Sequence, residues 1–466
     1  MKIKVKKSSL EGEIQCPPSK SYTHRALVIS SLAAGKSNLN NILISRDTNA
    51  TINCCRMLGV NIVGKRDDVL SHNLKNVTVT SEGGSCGFIT PNDVLQSDNS
   101  GTTIRLLTSV CALVSDGYSV LTGDDSLRRR PMGDLIKALN QLGVTCFSTN
   151  SNYFPPVIVK GGGIEGGITQ ISGQISSQFI SSLLLSSIFS KKGTTIQVLG
   201  NQVSKPYIES TIHIMKYFGV DIINEINYSI SENFAEAITE MESPKIANVV
   251  TEEYIVPPNL VYKAKDFDVP GDFSTASLLM AAAILTKGNL TIKGLNFDMP
   301  QGDMAIIDIL RKMGCQVTID RLRGSLNVEG NSKLQGGIFD LRKTPDLLPV
   351  LAILSLVAKG ETHIHGISHA RYKETDRVAN IASQLRRFGA YIVEKEDSII
   401  IKPPQQIRGA SIESFKDHRL FMAFTIAGLA TENSSVDGAE SVDVSYPQFV
   451  SDLKRVGADI QTVGTS

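Results

Sequence analysis

Three absences narrow the reading of this chain. No apolar run approaches the ~18 residues that a membrane-spanning helix needs, so no spanning segment is expected in its 466 residues. The start, "MKIKVKKSSLEGEIQ", alternates like a strand and does not read as a signal peptide. Net charge is nearly absent: 47 basic against 46 acidic side chains leave +1, which argues against a nucleic-acid surface or an acidic membrane as partner. The seven cysteines, Cys16, Cys54, Cys55, Cys86, Cys111, Cys146 and Cys315, are odd in number and lack metal-ligand spacing. The vicinal pair Cys54 and Cys55 reads as buried filler of a helix in a reducing cytoplasm. No metal and no cofactor are expected.

What is present is an ordinary globular composition, 41% hydrophobic and 20% charged. The chain is too long for one core and suits two domains of ~200 residues each. Its organisation is a sixfold repeat. Six segments run from an apolar helical stretch through a turn signal into an alternating strand, with the turn at Gly35, Gly117, Gly193, Gly288, Gly360 and Asn433. These are the residue types expected just past a helix end, where φ is often positive. A second pattern of helix end, glycine and strand follows each, at Gly59, Gly143, Gly219, Gly314, Gly389 and Gly457. The separation holds between 24 and 29 residues in all six copies. The unit is therefore helix, strand, loop, helix, strand, with one more strand in the variable remainder. A long connector beginning "NEINYSISENFAEAITEMESPK" splits the copies three and three, which places the domain boundary near Val269. The N-terminal strand is free to pair with the other domain. Two three-unit α/β domains with a cleft between them follow.

Each unit has two helix starts, and the unusual polar clusters fall on them. They include "SKSYTHR", "SDNSGTTIR", "RRRPMGD", "SGQISSQF", "SKPYIES", "PGDFSTAS", "DMPQGDM", "RKTPDLLP", "RYKETDR" and "FKDHRL". A helix start leaves N–H groups unpaired and carries about half a positive charge, so it attracts anions. Ser, Thr, Asp and Pro there have a plainer reading as caps, and capping is the expectation for "SRDTN" and "DMPQGDM". Cations are different, because a positive helix end repels them. Lys20, Arg25, Arg105, Arg128 to Arg130, Lys205, Lys373, Arg377 and Arg419 all lie close to such starts. An anion bound by both dipole and cation removes that conflict. In "RYKETDR", a helix would put Lys373 and Arg377 on one face at i and i+4, with Glu374 beside them. A surface ion pair between Glu374 and Arg377 is the plain reading; a carboxylate between two cations is also an acid/base candidate. Asp346 follows a proline at the start of an apolar helix, either as an N-cap or as a general base.

The ordered set "KSYTHR", "NSGTTIRLL", "RRRPMGDL", "SSQF", "SKPYIES", "PGDFSTAS", "QGD", "KETDR" and "DHR" resembles the 3-phosphoshikimate 1-carboxyvinyltransferases, the 5-enolpyruvylshikimate-3-phosphate synthases of the enolpyruvyl transferase family. The resemblance runs from Lys20 to Pro447. It implies an α/β protein of two domains, each of three βαβαββ repeats (an inside-out α/β barrel), with the active site in the inter-domain cleft. The domains would be 19–268 and 1–18 with 269–466. The implied reaction moves the enolpyruvyl group of phosphoenolpyruvate to the 5-hydroxyl of shikimate 3-phosphate by addition and elimination, in the shikimate pathway to chorismate and the aromatic amino acids. Lys20 would touch both substrates. Ser21, Arg25, Ser176, Ser177 and Gln178 would hold the shikimate phosphate, with Ser204 and Tyr207 nearby. Asn99 and Gly101 would line the phosphoenolpyruvate site, and Arg130, Arg377 and Arg419 would clamp its phosphate and carboxylate. Asp346 would take the hydroxyl proton, and Glu374 and Lys373 would move protons in addition and elimination. His369 stands where an Asn commonly contacts shikimate. Glyphosate is the implied inhibitor, and the protein is expected to act as a cytoplasmic monomer.

Besides His369, three departures accompany the resemblance. Val444 stands where the family often has a lysine, with Lys416 as a stand-in. Leu106 replaces a common proline, which bears on glyphosate sensitivity. The connector before Val269 is ~20 residues longer than the family pattern implies. The UDP-N-acetylglucosamine enolpyruvyl transferases are the nearest rival, but the loop "TGDDSLRRRP" lacks their reactive cysteine and Cys111 lies in an apolar helix. An RNA 3′-phosphate cyclase would need a nucleic-acid surface, and a non-catalytic repeat scaffold would show plain caps at the helix starts. His24 is assigned no role.

Overall fold

The computed structural model describes residues 1–64, 75–84, 87–226, 250–330 and 333–463; Cys86 and residues 227–249 of the long connector lie outside the described residues. The chain divides into a first unit, Lys20–Val269, and a second, Met1–Ser19 with Pro270–Ser466. The first contains α1 (Lys20–Leu32), α2 (Arg46–Met57), α3 (Gly101–Val110), α4 (Gly133–Gln141), α5 (Ser177–Ser187) and α6 (Lys205–Tyr217). The second contains α7 (Phe273–Leu285), α8 (Ile306–Lys312), α9 (Leu348–Leu354), α10 (Arg377–Arg387), α11 (His418–Gly428) and α12 (Phe449–Arg455).

Among the described residues, six four-stranded sheets accompany these helices, three in each unit. The second repeat shows the pattern. Leu95–Gln96 lies parallel to Tyr118–Thr122, which pairs antiparallel with Val157–Lys160, itself antiparallel to Cys146–Ser148. The parallel pair requires a crossover, which the first helix of the repeat supplies. Chain order is thus βαβαββ, as the resemblance implied. Each unit closes by borrowing a distant strand. Phe267–Asp268 joins Gly35–Asn40 of the first repeat, and Glu11–Gln15 joins Asn289–Lys293 of the fourth. Lys2–Val5 lies between Ser434–Asp437 and Ile460–Val463 in the last sheet. The described end of the connector is a strand too: Val250–Val256 pairs with Thr194–Leu199.

Local chemistry explains the element ends. Gly59, Gly143, Gly219, Gly314, Gly389 and Gly457 all have φ between 84° and 109°. They follow α2, α4, α6, α8, α10 and α12, the left-handed position that glycine reaches without Cβ strain. The first-helix turns are less uniform. Gly35, Gly117, Gly193 and Gly360 are left-handed, but in the fourth repeat that residue is Lys287 (φ 53°) and Asn433 is not left-handed. Gly288 is needed for closeness instead, since a Cβ there would stand 2.0 Å from the Leu10 carbonyl oxygen.

The first helix of each repeat is the buried one. All thirteen residues of α7 are buried, consistent with a helix that is apolar on every side. In the second unit α7, α9 and α11 pack against one another, with strands outside them. In the first, α3 packs against α1 and α5. The second helices, such as α4 and α10, bury one stripe and leave the other polar. The starts of the central helices therefore gather within each unit, which is where the polar clusters lie.

Candidate active site

In the first unit, cations meet mostly neutral partners. Arg25, fully enclosed in α1, donates through Nε to Thr211 Oγ1 at 2.7 Å, through Nη1 to the Ser21 carbonyl at 3.0 Å, and through Nη2 to Ser181 Oγ at 3.4 Å and the Tyr207 carbonyl at 3.0 Å. Burial draws its pKa down to about 10, which still leaves it charged at neutral pH. Arg105 donates to Gln178 Oε1 at 2.8 Å and Ser176 Oγ at 3.3 Å, and it stacks over Phe179. Gln178 in turn donates to Thr102 at 2.9 Å. Ser176 caps α5 by accepting from the Gln178 N–H, which puts Ser177 at its first turn. Arg130 donates to Asn99 Oδ1 at 2.8 Å and Ser126 Oγ at 3.2 Å. A Cβ at Gly101 would stand 3.0 Å from Arg130 Nη1, so glycine lets the guanidinium lie against the start of α3. Ser204 precedes α6 in a left-handed conformation (φ 56°) and makes no cap. The exceptions include the ion pairs of Lys20 with Asp47 at 3.0 Å, Lys205 with Glu252 at 2.9 Å and Arg128 with Asp125.

In the second unit, cations meet carboxylates. Asp346 faces three of them: Arg377 Nη1 at 2.9 Å, Arg419 Nη2 at 3.1 Å and Lys373 Nζ at 3.8 Å. Burial alone would raise its pKa, but Arg419, Lys373 and Arg377 together hold it well below the usual carboxylate range. Asp346 is not the N-cap that its place after a proline suggested. It sits inside the 3-10 turn Pro345–Leu347, whose N-cap is Thr344. Arg377 is only 1% exposed and also binds Glu374 at 2.6 Å and Asp417 at 2.8 Å. Asp417 accepts the N–H groups of Arg419 and Leu420, capping α11. It follows Phe415 and Lys416, both left-handed at φ 55° and 57°, a costly turn for side-chain-bearing residues that aims Asp417 at Arg377.

The shared helical face foreseen for Lys373 and Arg377 is absent. Ser368–Tyr372 is a 3-10 turn, and α10 begins only at Arg377 behind its cap Asp376. The turn is pinned by Arg371, which binds Asp376 at 2.8 Å and Glu394 at 3.0 Å. Lys373 reaches Asp346 because the chain bends there, and the Glu374–Arg377 pair lies in the site instead of on a surface. His369 is buried, and burial with Lys373 nearby lowers its pKa to about 4, so it is neutral at pH 7.

The reading of the sequence missed several participants. Asp303 of "QGD" is buried and accepts from Ser274 Oγ. Burial, then the Asp346 charge, raise its pKa to about 7. Asp47, Arg371 and Asp417 each hold a candidate residue in place. Capping was the correct reading for "SRDTN", where Ser45 and Thr48 form a capping box, but not for "DMPQGDM", where Gln301 makes no side-chain cap. Val444 is buried and Lys416 exposed. Among the described residues, the cysteines are free and buried, no acidic, His and Cys cluster is arranged to hold a metal ion, and no helix is long and apolar enough to cross a membrane.

Known proteins are similar to this chain along nearly its whole length. The family model described as EPSP synthase (3-phosphoshikimate 1-carboxyvinyltransferase) matches residues 5–231 and 231–453. A 3-phosphoshikimate 1-carboxyvinyltransferase of Nitrosopumilus maritimus is 40% identical over 462 residues, covering 99% of this chain and 100% of its own. One from Methanosarcina acetivorans is 38% identical over 464 residues, 99% of each chain. The structure of EPSP synthase from Acinetobacter baumannii superposes with a TM-score of 0.78 at 25% identity, covering 99% of this chain and 100% of that one. The chain belongs to the EPSP synthase (3-phosphoshikimate 1-carboxyvinyltransferase) family.

Proposed function

We propose that this chain transfers the enolpyruvyl group of phosphoenolpyruvate to the 5-hydroxyl of shikimate 3-phosphate, giving 5-enolpyruvylshikimate 3-phosphate and phosphate. The observation that carries this reading is Asp346 among three cations at 2.9–3.8 Å, in a chain related over 99% of its length to enzymes named for that activity. The substrates are polyanions, and the first unit offers Arg25, Arg130 and the starts of α3 and α5 to them. In this reading Ser21, Arg25, Ser176, Ser177, Gln178, Ser204, Tyr207 and His369 bind shikimate 3-phosphate, and Lys20 touches both substrates. Asn99, Gly101, Arg130, Arg377 and Arg419 bind phosphoenolpyruvate. A monomeric state, action in the cytoplasm and inhibition by glyphosate belong to the same proposal.

The chemistry needs proton transfers and charge clamps. A proton from Lys373 or Glu374 adds to the methylene carbon of phosphoenolpyruvate. The 5-hydroxyl oxygen bonds to the neighbouring carbon and gives its proton to Asp346. In the elimination the new methyl group returns a proton to the protein. The C–O bond to phosphate then breaks, and phosphate leaves with the electron pair. With three cations facing it, Asp346 is ionised but weakly basic. An anion held by Arg377 and Arg419 takes up part of that positive field and raises the proton affinity of Asp346 as the reaction requires. Mixing the protein with both substrates should release inorganic phosphate; no release across a range of pH and salt would overturn the proposal.

A further inference from the structure

The proposed reaction leaves His24 without a part, yet His24 heads a buried chain of hydrogen bonds. Its Nδ1 lies 2.7 Å from Thr51 Oγ1, which lies 2.7 Å from Thr103 Oγ1. Thr103 Oγ1 reaches the Asp47 carbonyl at 3.2 Å and Ser100 Oγ at 2.7 Å. Ser100 is the cap of α3 and accepts the Thr103 N–H at 3.1 Å. Asp47 holds Lys20 through its carboxylate at 3.0 Å. His24, Thr51, Thr103 and Ser100 are each at most 1% exposed. The chain thus ties α1, α2 and α3 together at the points from which Lys20 and Gly101 extend.

The bonding fixes the direction of the chain. His24 Nε2 is buried and has no protein partner among the described residues. A buried N–H without a partner is rarer than a buried acceptor without one, so the proton belongs on Nδ1. Nδ1–H then donates to Thr51, Thr51 donates to Thr103, and Thr103 donates to the Asp47 carbonyl or Ser100. The opposite tautomer would make Thr103 donate to Thr51 and Thr51 donate to Nδ1, and it strands the Nε2–H. Burial, with Lys20 and Arg25 adding to it, holds the His24 pKa well below its usual value and keeps the ring neutral.

We propose that His24 is a positioning residue which, acting through Thr51 and Thr103, fixes the Lys20–Asp47 pair and the Gly101 start of α3 for phosphoenolpyruvate. The consequence for phosphoenolpyruvate rests on the function proposed above; the direction of the chain does not. Two measurements on the full-length protein test it. Nitrogen NMR of labelled His24 should show the proton on Nδ1; a proton on Nε2 would overturn the chain's direction whether or not the protein turns over. Thr51→Val keeps the shape without the hydroxyl, and Thr51→Ser keeps the hydroxyl. With folding of each variant checked by thermal unfolding, Thr51→Val should lower kcat/KM for phosphoenolpyruvate by about tenfold or more. It should weaken shikimate 3-phosphate binding by less, and Thr51→Ser should stay within about threefold of the parent. Thr51→Val with unchanged phosphoenolpyruvate kinetics, or both variants equally impaired, would overturn the positioning role.

Discussion

The two units solve the problem of buried cations in opposite ways. In the first, Arg25 and Arg130 are held by hydroxyls, an amide and carbonyls. Neutral partners satisfy the N–H geometry but leave the positive charge uncancelled, which suits binding of a polyanion. In the second, Arg377 alone serves three carboxylates, Asp346, Glu374 and Asp417. Charged partners cancel the field and set the proton affinity of the groups among them. The comparison assigns anion binding chiefly to one set of residues and acid/base work chiefly to the other.

The largest effect should come from removing the central carboxylate. Asp346→Asn keeps the shape of the second cluster but cannot accept a proton, and kcat should fall by about 10²–10⁴, read by phosphate release. Next comes the contrast between the two buried arginines. Arg377→Met strands three carboxylates, and urea unfolding should show a loss of ~3–5 kcal/mol. Arg25→Met strands only neutral acceptors and should cost ~1–3 kcal/mol. Equal costs would erase the distinction between the units. A smaller effect concerns pH. Asp303 titrates near 7 when folded, against 3.8 for an ordinary Asp. Between those values the folded state binds more protons than the unfolded, so this group makes stability fall as pH rises from about 4 to 7. Asp346, with its lowered pKa, contributes in the opposite sense: its stabilisation is present above 3.8 and fades as pH falls below it. Asp303→Asn should therefore flatten the decline between pH 4 and 7, seen in urea unfolding at several pH values. The smallest is Ser45→Ala, which should lose ~1 kcal/mol of stability with turnover unchanged, because the capping box touches neither cluster's cations.

The repeat was readable because backbone geometry recurs: a glycine past each second helix is demanded by a left-handed residue, and all six positions obey it. The strand count followed from turn spacing. Gly288 and Asn433 failed as left-handed markers because other demands governed them, a close carbonyl at Gly288 and a turn without positive φ at Asn433. Within the candidate site, residue types at helix starts pointed to Arg25, Arg130 and Arg377. What periodicity could not supply was the bend at Lys373 or the short turn that carries Asp346 inside it, since a 3-10 turn followed by a bend has no helical face. The burial of Asp303 and the His24 chain depend on packing between distant segments, to which local patterning is blind.

The division of labour is tested most directly by titrating shikimate 3-phosphate calorimetrically into Asp346→Asn and Arg25→Met side by side. The account predicts that Asp346→Asn binds about as well as the parent protein while Arg25→Met loses most of its affinity. Lost binding in Asp346→Asn with retained binding in Arg25→Met would contradict it.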